Sequence, residues 1–169
     1  MAAITGPVRN AVVYVLAAAA VVGLLIGYNI ASDQNKQFLK TFQAFQQSQT
    51  LMQQQQYAQA EPLLKKVVEA QPHSFMALWN YGICQFGLKH YDLADEYFTK
   101  AREQRPFLLN DQLYVTQYGE LLYAKGDLAR AKEYLERSVS LNAGTDLAKE
   151  AKSWLDKIQA KEAQARAKP

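Results

Sequence analysis

Tyr57-Ala58-Gln59-Ala60, with Pro72 twelve residues past Ala60, returns as Tyr91-Asp92-Leu93-Ala94 with Pro106 twelve past Ala94, an offset of 34 residues. Leu128-Ala129-Arg130-Ala131 repeats the pattern 37 residues further on, with Ala143 where the proline stood, so three residues are inserted in the preceding loop. Self-similarity at such a period is the signature of a stacked architecture, in which each unit buries its apolar face only against its neighbours. Proline lacks the donor that would continue a helix, so Pro72 and Pro106 each close a unit. Pro62 is expected near a helix start, where proline is tolerated.

Large and small residues hold fixed places within the period. The middle unit has Leu78, Tyr81 and Gly82 in its first half and Ala94, Phe98 and Ala101 in its second. This resembles the tetratricopeptide repeat, a helix-turn-helix unit of about 34 residues with a closing proline. Only Gln85 departs there, standing where an aromatic residue is usual. The first unit keeps Leu51, Tyr57, Ala60, Leu64, Val67 and Pro72 but has Gln47 and Ser48 in place of Leu and Gly. The third keeps Tyr118, Gly119, Leu122, Ala131 and Leu135. The resemblance implies repeats over 41–72, 75–106 and 112–143. Glycine and alanine stand where paired helices cross closely and bulky neighbours fill the grooves. Eight glutamines crowd 43–56, yet Phe42, Phe45, Leu51 and Met52 recur among them at helical separations, predicting a glutamine-coated helix. Leu147, Ala151, Trp154, Leu155 and Ile158 form an apolar stripe that predicts a capping helix over 145–158, with a frayed tail over 159–169.

Ahead of the repeats, Ala11 to Tyr28 carry no charge, and these eighteen residues as a helix reach roughly 27 Å, enough for a bilayer core. Arg9 and Asn10 bound the run on one side, Asn29, Ser32 and Asp33 on the other, with Tyr14 and Tyr28 as interfacial anchors. A cleaved signal peptide is the alternative. The border Gly27-Tyr28-Asn29-Ile30-Ala31-Ser32 fits a cleavage site poorly, which favours an uncleaved anchor. Ala19, Gly23 and Gly27, continued by Ala31, form a small-residue stripe that a second membrane helix could approach, although chance in an Ala- and Gly-rich run explains it as well. The division expected is a leader over 1–10, an anchor over 11–30, a membrane-proximal helix or linker over 31–40, and the repeat domain over 41–158. Fold class is all-α: an N-terminal transmembrane helix, then a short α-solenoid of three helix-turn-helix repeats with a capping helix. Flanking charge nearly ties, and a short leader before a large C-terminal domain resembles a bacterial signal anchor, so the repeats are expected on the extracytoplasmic side.

Nineteen Lys and Arg oppose sixteen Asp and Glu, both signs interspersed, which argues against a nucleic-acid surface. Cys84 is the single cysteine, so no internal disulfide forms, and its position, commonly alanine in this repeat, reads as a packed side chain. His73 and His90 lack neighbours at ligand spacing; neither a metal nor a cofactor is expected. Without a nucleophile–base set or a glycine-rich phosphate loop, catalysis has no visible equipment.

Members of the resembled family usually bind peptides or helices along the concave surface of their first helices. Carried over, that surface comprises Phe42, Phe45, Gln49 and Met52; Met76, Trp79, Ile83 and Phe86; and Leu113, Thr116, Glu120 and Tyr123. Nine of these twelve are large and apolar or aromatic. The carboxylate clamp of chaperone-binding members is matched only by Asn80, its other positions reading Phe45, Gln49, Leu113 and Gln117. The expected partner is therefore an apolar or amphipathic helix or peptide, beside the bilayer itself. A membrane-tethered adaptor supporting assembly or secretion of envelope proteins fits, and so does a permanent subunit of a membrane complex. The groove could also be filled by the protein itself, through superhelical closure, the Phe107-Leu108-Leu109 loop or the membrane-proximal helix.

Overall fold

A computed structural model describes residues 6–166; the first half of the expected leader, 1–5, and the last tail residues, 167–169, lie outside them. The described chain comprises α1 (Gly6–Gln53), α2 (Tyr57–Ala70), α3 (Phe75–Gly87), α4 (Tyr91–Gln104), a 3-10 turn (Pro106–Asn110), α5 (Gln112–Lys125), α6 (Leu128–Leu141) and α7 (Asp146–Arg166). It divides into two compact units, one up to Phe42 and one from Gln43.

In the first unit α1 continues through 31–40 without interruption, so this stretch is helix and not a flexible linker. The helix from Val13 has a mean hydropathy of 2.1 over its most apolar stretch and is long and apolar enough, by length and composition, to cross a membrane. Its apolar side chains face outward; Leu24 is 74 % exposed. A Cβ added at Gly23 or Gly27 would meet nothing in this chain within 4 Å.

In the second unit the helices pair as the period predicts: α3 packs on α4, α5 on α6, and α2 and α4 each on the following first helix. Side chains set several starts. Ser74 accepts the Ala77 amide at 3.4 Å, Asp111 the Tyr114 amide at 3.1 Å and Asp127 the Arg130 amide at 3.2 Å. The close crossings fall at glycines and alanines. A Cβ at Gly82 would sit 2.8 Å from the Phe98 ring, and one at Gly119 would sit 2.6 Å from Leu135. Ala94, Ala101 and Ala131 are fully buried. One close approach had no counterpart in the sequence reading: the Tyr57 ring lies against Gly87, 2.5 Å from where a Cβ would stand.

Two features depart in detail from the sequence expectation. Pro62 lies inside α2, in its second turn, where its missing donor leaves the Ala58 carbonyl without that helical bond. The capping helix, expected over 145–158, extends to Arg166. Gln159-Ala160-Lys161-Glu162-Ala163-Gln164-Ala165-Arg166 consists of strong helix formers, and Lys161 is anchored 4.0 Å over the Tyr123 ring.

Two apolar clusters run through the stack. Ala60, Leu64, Tyr81 and Cys84 hold the first repeat to the second; Phe98, Tyr114, Tyr118 and Leu135 belong to a larger cluster binding the second to the third and to α7. Asp95, on α4, ties this region electrostatically. It accepts from Tyr118 at 2.6 Å and Lys125 at 2.7 Å on α5, and from Arg130 at 3.1 Å on α6. Burial alone would raise its carboxyl, but these bonds from Arg130, Lys125 and Tyr118 hold it down at about 2.

Candidate partner-binding surface

On α3, residues 76, 79, 80, 83 and 86 recur at three- and four-residue steps and so share one side of the helix. On α5, 113, 117 and 120 do the same. Between these sides lie two recesses. The first, of about 370 Å³, is bounded by Phe75, Met76, Trp79 and Asn80 of α3 and by Arg105, Phe107 and Asp111 of the connection to α5. The second, of about 270 Å³, is bounded by Ile83, Phe86 and Gly87, by Tyr57 of α2, and by Gln117 and Glu120 of α5. Trp79 links them: its indole N–H donates to Gln117 Oε1 at 3.1 Å and its ring meets Tyr114 edge-on at 5.4 Å. At the rim of the first recess the Arg105 guanidinium lies 4.5 Å over the Phe75 ring.

The twelve expected groove residues separate into distinct environments. Met76 and Leu113 are open, at 48 % and 43 % exposure. Trp79, Ile83 and Phe86 are half-buried, each with one side in the core and one on a recess. Gln49 is half-buried as well. Phe45 and Met52 pack against the Ala60–Leu64–Tyr81–Cys84 cluster, so they fill the first repeat's core. Phe42 belongs to the first unit, where it stacks on Phe38 with ring centres 6.4 Å apart.

Thr116 is not a groove residue. It is 1 % exposed, donates to the Gln112 carbonyl at 2.7 Å and shares a 2.7 Å hydrogen bond with Ser138 of α6. At about 100° per residue it stands over a quarter turn from Gln117, which faces the recess in its place. Glu120 and Tyr123 are overlain by α7: Glu120 Oε1 accepts the Trp154 indole N–H at 2.6 Å, and the Tyr123 and Trp154 rings lie 5.0 Å apart. Of the loop that could fill the groove, Leu108 is core while Phe107, 65 % exposed, walls the first recess and leaves it open. Sequence reasoning missed Phe75, at the first position of α3, and Arg105, in the connection to α5; it weighed Phe107 only as part of a filling loop and Gln117 only as a clamp position.

Asn80 turns its amide back onto its own helix, donating to the Met76 carbonyl at 2.8 Å. Cys84 is buried with Sγ 3.4 Å from the Tyr57 carbonyl, and burial, aided by Glu61, pushes its thiol up to about 11, so it stays protonated at neutral pH. Gln85, the odd residue of the middle unit, is buried and meets His90 Nδ1 at 2.8 Å, joining α3 to the cap of α4.

Residues 45–108 and 114–145 match models of the tetratricopeptide repeat and together cover more than half of the 169 residues. Comparison with curated proteins gives no match. Among solved structures, the first TPR domain of human RPAP3 is similar with a TM-score of 0.63 at 20% identity, over 77% of this chain and 98% of that one. The type III secretion chaperone SycD of Yersinia enterocolitica, in complex with a peptide of the translocator YopD, gives 0.60 at 20% identity, over 71% of this chain and 92% of that one. A fragment of MamA from Desulfovibrio magneticus RS-1 gives 0.53 at 24% identity, over 61% of this chain and 56% of that one. The period, the glycine and alanine crossings and these matches agree: the chain belongs to the tetratricopeptide repeat family, whose fold is a protein-interaction module.

Proposed function

We propose that this protein is a membrane-tethered adaptor that receives an apolar or amphipathic segment of a partner protein on the side shared by α3 and α5. The observation that carries the reading is the pair of recesses along α3, about two turns apart from Met76 to Ile83, each walled in part by aromatic or aliphatic side chains, with Met76 and Phe107 exposed at the first. Residues seven apart on a helix are separated by about 10 Å, so two side chains spaced i, i+7 on a partner helix would fill both recesses. Apolar recesses on a solvated scaffold favour such docking, and aromatic walls dominate its energetics. Solved relatives support the class of ligand: a first TPR of RPAP3 is bound to an HSP90 peptide, and SycD is in complex with a YopD peptide. The apolar helix from Val13 supports the tether, and the open stripe at Gly23 and Gly27 offers it a helix partner in the bilayer. The repeats lie on the extracytoplasmic side in this reading, serving assembly or secretion of envelope proteins.

The test uses the exposed positions, because Trp79 and Phe45 also support the fold. Met76→Glu with Leu113→Glu, in the full chain, should abolish crosslinking of a partner from the α3–α5 side without lowering the melting temperature. Capture that persists refutes the surface. Partners that co-purify at fixed ratio through detergent extraction, and not only after crosslinking, would identify the protein instead as a permanent subunit.

A further inference from the structure

α1 runs unbroken from Gly6 to Gln53, so the order of its side chains round the helix is fixed through and beyond the apolar stretch. Leu24, Tyr28, Ala31, Asn35, Phe38 and Phe42 follow one another at steps of four, three, four, three and four residues. That alternation draws a single line along the helix, the kind of seam along which two helices wind together. All six are exposed, Phe38 at 59 % and Phe42 at 47 %, and these two rings stack on each other with centres 6.4 Å apart. Leu39, exposed as well, flanks the line. Lys36 and Lys40 stand more than about 120° round the helix from it, so neither cation interrupts the seam.

In the tethered reading the apolar run ends at Tyr28. Phe38 and Phe42 then lie about 15 Å and about 21 Å further along the helix, beyond the ~5–8 Å headgroup zone of one leaflet, and a tilt of about 40° leaves both outside it. Lipid therefore does not cover them. Aromatic rings held in water on an unbroken helix mark a protein contact, and its other half must present apolar side chains at the same height above the bilayer. A second copy does so by construction. Anchored at the same depth and in the same orientation, it sets Phe38 against Phe38 and Phe42 against Phe42 across a twofold axis. Asn35 meets its own copy at the one polar place on the line, where each amide both donates and accepts. A single asparagine in an apolar seam fixes the register and the number of strands.

We propose that the protein pairs with a second copy of itself through a parallel two-helix seam on α1, running from Leu24 out of the bilayer to Phe42. The pairing rests on the tether and not on the recesses. Phe38, Leu39 and Phe42 present on the order of 300 Å² of apolar surface per copy, well short of the ~800 Å² per partner of a standard interface. Anchoring compensates. It confines both helices to one plane in one orientation, which raises their effective concentration, while Leu24 and Tyr28 extend the contact into the bilayer, where Gly27 lets the helices approach. The seam ends at Phe42 because the next place on it, Phe45, packs into the core of the first repeat.

Single cysteines in the full-length protein, purified and reconstituted in phosphatidylcholine vesicles, test the pairing by disulfide formation under mild oxidation. With helix axes about 8–10 Å apart, Cα atoms on the seam stand roughly 4–6 Å from their copies and those on the far side more than about 12 Å, against the ~4.4–6.8 Å that a disulfide spans. Ala31→Cys and Asn35→Cys should therefore form dimers on the order of tenfold faster than Lys36→Cys and Lys40→Cys, which stand at neighbouring heights and report chance collision. The parent, with Cys84 buried, sets the background. Adding Phe38→Glu and Phe42→Glu to Asn35→Cys should bring its rate down to that of Lys36→Cys without moving the melting temperature of the repeats, since both residues belong to the unit ahead of them. Equal rates at the four positions, or a seam disulfide that survives both glutamates, overturns the pairing. So does a seam cysteine that links to another protein in native membranes and never to its own copy in vesicles. Flotation of the vesicles separates the two readings: protein that floats without the seam pattern overturns the pair alone, and protein that does not float overturns the tether with it.

Discussion

Three turns joining paired helices each place one residue in the left-handed region: Gln55 at φ 59°, Lys89 at 63° and Gly126 at 93°. Their offsets are 34 and 37, so they are one position of the repeat, and only the third copy carries the residue suited to it. A side chain at such a position costs about 1 kcal/mol, partly offset by the greater unfolded-state freedom of glycine. Lys89→Gly is therefore expected to leave the fold intact and raise stability by up to about 1 kcal/mol, whereas Gly126→Ala lowers it by about 1 kcal/mol. Thermal melts of the two variants beside the parent check this; a destabilised Lys89→Gly would contradict it. The residue scale is also where prediction from the period failed. Thr116 and Gln117 are neighbours in sequence, but one faces Ser138 in the core and the other holds Trp79 at the recess. A repeat consensus specifies the residues at helix crossings more tightly than those beside them, and a one-residue difference turns a side chain through about 100°.

At the scale of elements, a missing side chain decides how close two helices come. A Cβ at Gly119 would lie 2.6 Å from Leu135 Cγ, so Gly119→Ala is expected to push α6 off α5 and cost about 1–3 kcal/mol. Combining it with Leu135→Ala should cost less than the two single losses added together, because the shortened side chain vacates the space the new methyl needs. Strict additivity in denaturant unfolding would show that the clash is relieved elsewhere. These crossings were legible in sequence because Gly82, Gly119, Ala94 and Ala131 recur against bulky neighbours at the family period. The extent of α7 was not. Its apolar stripe ends at Ile158, and the turns beyond are held by helix propensity and by Lys161 on Tyr123, neither of which leaves an apolar pattern. The covering of Glu120 and Tyr123 was equally hidden, since Trp154 could be read as a core residue of a cap without revealing what its indole N–H would meet.

Across the whole repeat stack, two carboxyl groups titrate in opposite senses, and their difference predicts how stability follows pH. Glu120, raised by burial and Glu150, weakens its interface as pH rises. Asp95 is the reverse: it joins α4 to α5 and α6, and its hydrogen bonds from Arg130, Lys125 and Tyr118 hold it at about 2 against an ordinary 3.8. A lowered carboxyl contributes stability present above its unfolded value and lost as pH falls through its folded one, here from about 3.8 down to about 2. With its side chain 12 % exposed, Asp95 retains most of that linkage, worth roughly 1–2 kcal/mol. In a repeat stack the interfaces are coupled chiefly to their neighbours, so loss at Asp95 should weaken the second-to-third interface before the first repeat responds. Asp95→Asn is expected to lower stability by a similar amount at neutral pH and to flatten the acid limb between about pH 4 and about pH 2. Circular dichroism melts across that range compare the two curves. If the substituted protein loses stability on acidification as steeply as the parent, Asp95 is not the proton-sensitive joint, and the acid limb must come from other carboxylates.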